Sequence, residues 1–132
     1  MSTSLVSSAR AICQRWLDAV NARDLDAVLA LYATDAVLLP TFSPHVLRTD
    51  EQRRVYFERL ATQPGLHVSL HEKTFALQGC GPVEVASGIY CFRFEIDGEP
   101  LSFEARFSYL LDPAASRPII HHHSSQIPRN LS

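Results

Sequence analysis

The stretch Tyr90-Cys91-Phe92-Arg93-Phe94-Glu95-Ile96-Asp97-Gly98-Glu99-Pro100-Leu101-Ser102-Phe103-Glu104-Ala105-Arg106-Phe107 decides the fold. Apolar and polar residues alternate through most of it on either side of Asp97-Gly98, and a period of two is the mark of strands. Asp-Gly between two such runs signals a two-residue hairpin. That turn sets a register: Ile96 opposite Glu99, Phe94 opposite Leu101, Phe92 opposite Phe103 and Tyr90 opposite Ala105. One face then carries Tyr90, Phe92, Phe94, Phe103 and Phe107, and the other Ile89, Cys91, Arg93, Ser102, Glu104 and Arg106. A slip of one residue would exchange the faces.

Towards the C-terminus, Asp112 to Pro118 reads as a loop and Ile119-Ile120-His121-His122-His123-Ser124-Ser125-Gln126-Ile127 as a further strand. Alternation puts His121 and His123 on one face and His122 on the other. Two imidazoles at this spacing sit about 6.5–7 Å apart along a strand, close enough to act on one ligand. Towards the N-terminus, Val83 to Ile96 continues the hairpin strand, Leu66 to Leu77 reads as another, and Gln78 to Pro82 as a turn.

Before Pro64 the period changes. Ala9, Ile12, Cys13, Trp16, Leu17 and Val20 form one stripe of an amphipathic helix from about Ser4 to Asn21. Asp24 caps a short second helix carrying Leu25, Val28, Leu29 and Tyr32, and Ala36 to Pro40 is a short strand. Thr41 to Arg48, with two prolines and His45, is a loop. Thr49-Asp50-Glu51-Gln52 matches a capping box and opens a third helix with Val55, Tyr56 and Leu60. Three helices followed by a meander make an α+β plan, with the helices on one side of a curved, mainly antiparallel sheet.

A chain of 132 residues fits one domain, spanning residues 1–132. Its 46% hydrophobic and 20% charged content is that of an ordinary globular protein. A net charge of −2 points to no nucleic acid or anionic membrane as partner. No apolar run approaches the roughly 20 residues that span a bilayer, and Met1 to Leu5 lacks the regions of a signal peptide. Cys13, Cys80 and Cys91 lack metal spacing and read as free thiols in a reducing cytoplasm. No cofactor is implied. An aromatic face of five rings calls for a cover, so a homodimer through Tyr90, Phe92, Phe94, Phe103 and Phe107 is expected.

The opening, Trp16…Asp24-Leu25-Asp26…Leu31-Tyr32-Ala33…Asp35-Ala36-Val37, resembles the nuclear-transport-factor-2-like (SnoaL-like) superfamily. The ending, Ala105-Arg106-Phe107-Ser108 followed by Ile119-Ile120-His121-His122-His123-Ser124-Ser125, is similar to the calcium/calmodulin-dependent kinase II association-domain branch and its stand-alone bacterial relatives. The resemblance implies a cone-shaped half-barrel with a pocket between the long helix and the sheet, and dimers through the sheet. It also implies that Arg106 lines the pocket and that His121 and His123 are the paired histidines of the last strand. The charged turn and tryptophan of that branch are replaced here by Asp112-Pro113-Ala114-Ala115-Ser116-Arg117-Pro118.

Two readings of Arg106 compete: an ion pair with Glu104, or an anion clamp, since guanidinium matches a carboxylate. His121 and His123 are satisfied core histidines, or pocket groups moving a proton, or metal ligands lacking a third partner; no metal site is expected. Tyr32 and Tyr56 belong to helix stripes and can present a hydroxyl to the pocket. The expected function is therefore binding of a small molecule in an apolar pocket with Arg106, His121 and His123 at its polar end. Isomerase, cyclase or dehydratase chemistry on a carboxylate or enolate follows by analogy with ketosteroid isomerase and SnoaL-type cyclases. The alternative is a non-catalytic assembly or ligand-sensing module.

Overall fold

The computed structural model describes residues 2–128, with side-chain surroundings from Ala9 onward, so Met1 and the side chains of the N-terminal segment lie outside the described residues. Helix α1 (Ser2–Ala22) is followed by α2 (Leu25–Leu29), β1 (Tyr32–Leu39) and α3 (Asp50–Ala61). Then come β2 (His67–Leu70), a single 3-10 turn (Glu72–Thr74), β3 (Ala76–Cys80), β4 (Val83–Ile96), β5 (Glu99–Leu111) and β6 (Ile119–Gln126). The sheet order is β1-β6-β5-β4-β2, with β3 also paired to β4. β1 and β6 run parallel and every other pair antiparallel.

Local chemistry explains the boundaries. Arg23 takes a left-handed φ of 57° to end α1, and Asp24 caps α2 by accepting from the Ala27 amide. Thr49 and Gln52 make both bonds of a capping box at α3. Asp97 and Gly98 both have positive φ, 53° and 79°, which gives the primed turn that matches strand twist. The β4–β5 register is the one the turn dictates, from Ile96 opposite Glu99 through Tyr90 opposite Ala105.

Three boundaries differ from expectation. Tyr32 begins β1 rather than closing α2, because the chain turns into the sheet at Leu31, whose carbonyl accepts from Ile119 N. The strand expected over 66–77 is interrupted by the 3-10 turn, whose Thr74 hydroxyl accepts from Ile89 N at 2.8 Å. A Cβ at Gly88 would lie 3.0 Å from that hydroxyl and 3.2 Å from Phe107, so only glycine lets the turn cross β4 this closely. The turn expected over 78–82 contracts to Gly81-Pro82, since β3 runs on to Cys80.

β1 carries a register shift between Tyr32 and Val37 that frees its carbonyls from the ladder. Arg53 of α3, fully buried, collects them: its guanidinium donates to the carbonyls of Ala36 at 2.7 Å, Ala33 at 3.1 Å and Thr34 at 3.1 Å. The same group donates to Asp50 at 2.8 Å, and Asp50 also receives Arg117 from the loop before β6. Arg117 first, then Arg53, hold the Asp50 carboxyl below its usual range.

The faces of the sheet are reversed from expectation. Tyr90, Phe92, Phe94 and Phe107 are buried beneath the helices, together with Tyr109 and Trp16, and Phe103 packs at their edge. They are the core of one chain and are not available to a second subunit. The reason is the helix stripe. Trp16 needs apolar surface, and it finds Tyr90 stacked at 5.5 Å and Phe92 edge-on at 6.4 Å.

Candidate functional site

The interior polar group is His122. Between Tyr109 and the helix layer it is 1% exposed, stacked on Tyr109 at 4.0 Å and edge-on to Trp16 at 5.4 Å. Its Nδ1 lies 2.8 Å from the Tyr32 hydroxyl and its Nε2 lies 3.1 Å from the Tyr90 hydroxyl. Trp16 Nε1 donates to the Tyr32 oxygen at 2.9 Å. Indole nitrogen is a donor only, so the Tyr32 proton is free to go to His122 Nδ1. Nε2 then carries the imidazole proton and donates to Tyr90. The other tautomer would set two donors, the Trp16 indole and His122 Nδ1, against the Tyr32 oxygen and leave the buried Tyr32 proton without an acceptor. Ser124, one turn of the strand pattern further on, is bonded to Thr41.

These groups are held neutral. Burial pushes the His122 pKa down to about 3, with His121 and His123 adding to the effect. Burial likewise raises Tyr32, Tyr90 and Tyr109 and pushes Tyr56 up to about 12. An imidazole so hard to protonate, between tyrosines so hard to deprotonate, is poorly matched to acid–base work near neutral pH. The space left beside them, bounded by Trp16, Thr41, Tyr56, Tyr90, His122 and Ser124, is about 10 Å³. That is room for about one water molecule.

The residues expected to converge there do not. Arg106 and His123 are exposed, and His121 is half-buried, on the opposite face of the sheet from His122. The alternation that buries Ala105, Phe107 and Tyr109 forces Arg106 outward. Glu104 is also outside, 3.6 Å from His71 rather than paired with Arg106, and among the described residues Arg106 makes no ion pair. His123 Nε2 lies 2.7 Å from the Ser125 hydroxyl. Of the two tyrosines, Tyr32 is sealed in the core, while Tyr56 accepts from Phe42 N at 3.4 Å and reaches the surface. The interior chain Trp16–Tyr32–His122–Tyr90 was not anticipated from the sequence. Its one signal is parity, since His122 is the only histidine of the last strand sharing a face with Ser124 and opposite Tyr109.

Tyr56 also lines a cleft of about 790 Å³ between the 41–48 loop and α3, together with Phe42, His45, Glu51, Val55, Arg59 and Phe94. Phe42 separates this cleft from the interior, its ring edge-on to Phe92, Phe94 and Phe103 at 5.1, 5.3 and 5.4 Å. The loop is pinned at its base by two backbone bonds between Leu38 and Leu47. Among the described residues no three His, Cys, Asp or Glu side chains are grouped to hold a metal ion, and no helix is long and apolar enough to cross a membrane.

No match was found among the curated proteins. Among solved structures, a Xanthomonas campestris protein described as a calcium/calmodulin dependent protein kinase II association domain is 28% identical, with a TM-score of 0.81 over 92% of this chain and 87% of that one. The S. rosetta CaMKII hub is 16% identical, with a TM-score of 0.78 over 92% and 95%. A dehydratase-type protein of the NTF2-like family from Streptomyces avermitilis is 11% identical, with a TM-score of 0.83 over 98% and 100%. The last two show the fold alone, the α+β cone of the NTF2-like superfamily. The family model of the calcium/calmodulin dependent protein kinase II association domain matches residues 8–128, and this chain belongs to that family.

Proposed function

We propose that the protein is a self-association module, assembling with copies of itself through the outer face of its sheet. The observation that carries this is the division of the sheet into two faces. The inner face, where a substrate would bind, is filled by Trp16, Tyr90, Tyr109 and His122 down to a void of about 10 Å³. The outer face is left uncovered and holds half-buried Val37, Leu39, Val85, Ile89 and Leu110 among polar groups. Glu104 and Arg106 alternate on one strand of that face. A two-fold axis crossing β5 between them would set each Glu104 against the Arg106 of a second copy, which makes the surface self-complementary. Kinship with association domains, one of them described as a hub, agrees with this role. Sedimentation of the full chain tests it. We expect a dimer or larger species that Leu110→Lys shifts towards monomer. A monomer at all concentrations would overturn the proposal.

The cleft beside α3 favours a second reading, a binding site for a small molecule. Its volume falls in the range of ligand pockets, its floor is apolar, and Glu51 and Arg59 stand on α3 about 12 Å apart along the axis. Phe42 would then gate the route inward. If so, Phe42→Ala should increase uptake of small aromatic probes measured by saturation-transfer NMR. Equal uptake by both proteins would leave the cleft without this role.

A further inference from the structure

We propose that the cleft beside α3 takes a short linear zwitterion with an aromatic middle, such as a tripeptide with free ends; the inference rests on reading that cleft as a small-molecule site. One wall of the cleft is a single stripe of α3. Glu51, Val55 and Arg59 follow one another four residues apart, so their side chains stand in a row with acid and base at its two ends. The row rises about 12 Å along the helix axis. Val55, between the charges, is 45% exposed, an apolar side chain left to water beside the opening. Across from the row stand Phe42 and Phe94, edge-on to each other at 5.3 Å.

Acid in the first turn and base in the last suit the helix dipole, which accounts for their signs. It does not account for both lining one cleft unengaged. The other cations of α3 have partners, Arg53 in β1 carbonyls and Asp50, and Arg54 in Asp26 at 2.9 Å. Gln52 is committed to the capping box, and the Gln63 amide donates to the Arg59 carbonyl at 3.2 Å. Among the described residues, Glu51 and Arg59 make no ion pair. An ammonium group at Glu51 and a carboxylate at Arg59 engage both, and the guanidinium fork matches the carboxylate. An extended tripeptide spans about 10 Å, enough to follow the row with its central ring over Val55 and against Phe42 and Phe94. A dianion would set one carboxylate against Glu51, and a dication one ammonium against Arg59, so repulsion adds to the selection.

Titrating the full chain with Ala-Phe-Ala, followed by backbone amide NMR at pH 6.5, tests this against the same peptide acetylated, amidated or blocked at both ends. Each blocked end should weaken binding about threefold, and both together about tenfold, the scale of solvent-exposed ion pairs. Ala-Gly-Ala, with the ends but no ring, should bind about tenfold more weakly. Glu51→Gln should bind the free and acetylated peptides alike while still preferring the free carboxylate. Arg59→Gln should show the converse. Equal binding of the four forms, or variants that keep the natural preferences, overturns the zwitterion, and Ala-Gly-Ala binding as tightly overturns the aromatic middle. Indole, aromatic and uncharged, probes the cleft by itself. If indole shifts the amides of Val55 and Tyr56 and the peptides do not, the cleft stands and the zwitterion falls. If neither shifts them, both fall.

Discussion

At the scale of single residues, His122 is the group whose environment departs most from water. Its pKa in the fold is about 3, against an ordinary value near 6.5 in an unfolded chain. The sign follows from which state takes the proton. Below pH 6.5 the unfolded chain binds a proton that the fold refuses, so stability is complete above pH 6.5 and is lost as the pH falls towards 3. The slope approaches about 1.4 kcal/mol per pH unit. Urea unfolding at pH 7, 5.5 and 4.5 should show this loss, and His122→Gln should start less stable but lack that part of the slope. An unchanged slope in the variant would put the acid sensitivity elsewhere. Tyr32→Phe makes a related case. It strips the Trp16 indole and His122 Nδ1 of their common partner, both buried, and should cost about 2–4 kcal/mol in the same assay.

At the scale of elements, the contact between α3 and β1 depends on one side chain. Arg53 bridges three carbonyls released by the irregular stretch of β1, and a planar fork of donors is needed to reach them together. Arg53→Met should therefore lower stability by about 3 kcal/mol, and Arg53→Lys should recover little of it, measured by thermal unfolding. Full recovery by lysine would mean that charge alone matters. The elements themselves were readable. The α1 stripe, the Thr49 capping box and the Asp97-Gly98 turn are local codes, and local codes survive folding. The irregularity of β1 and the break at the 3-10 turn were not readable, because each depends on a partner distant in sequence, Arg53 in one case and Gly88 in the other. The placement of the site is not legible in the sequence for a different reason. The Asp97-Gly98 turn dictates the hairpin register to the residue, but a register says which residues share a face and not which face the helices cover. The resemblance points Arg106, His121 and His123 inward, whereas area decides otherwise: burying Tyr90, Phe92, Phe94 and Phe107 outweighs sheltering charged groups.

At the scale of the whole molecule, the two faces make opposite predictions for the same kind of substitution. Phe92 is 1% exposed, against Trp16 and Tyr90 on the inner side. Leu110 is half-buried on the outer side, level with His121 and Val85. If the aromatic face joined subunits, Phe92→Asp would yield folded monomers. Because it is the core, Phe92→Asp buries a carboxylate with no partner and removes a ring, and the chain should lose its fold at any concentration. Leu110→Lys puts a charge on a surface that is wet in the single chain. It should leave circular dichroism and Trp16 emission unchanged and lower only the sedimenting mass. Running both variants side by side separates fold from assembly. Folded monomers from Phe92→Asp, or unfolding from Leu110→Lys, would reverse the assignment of the two faces.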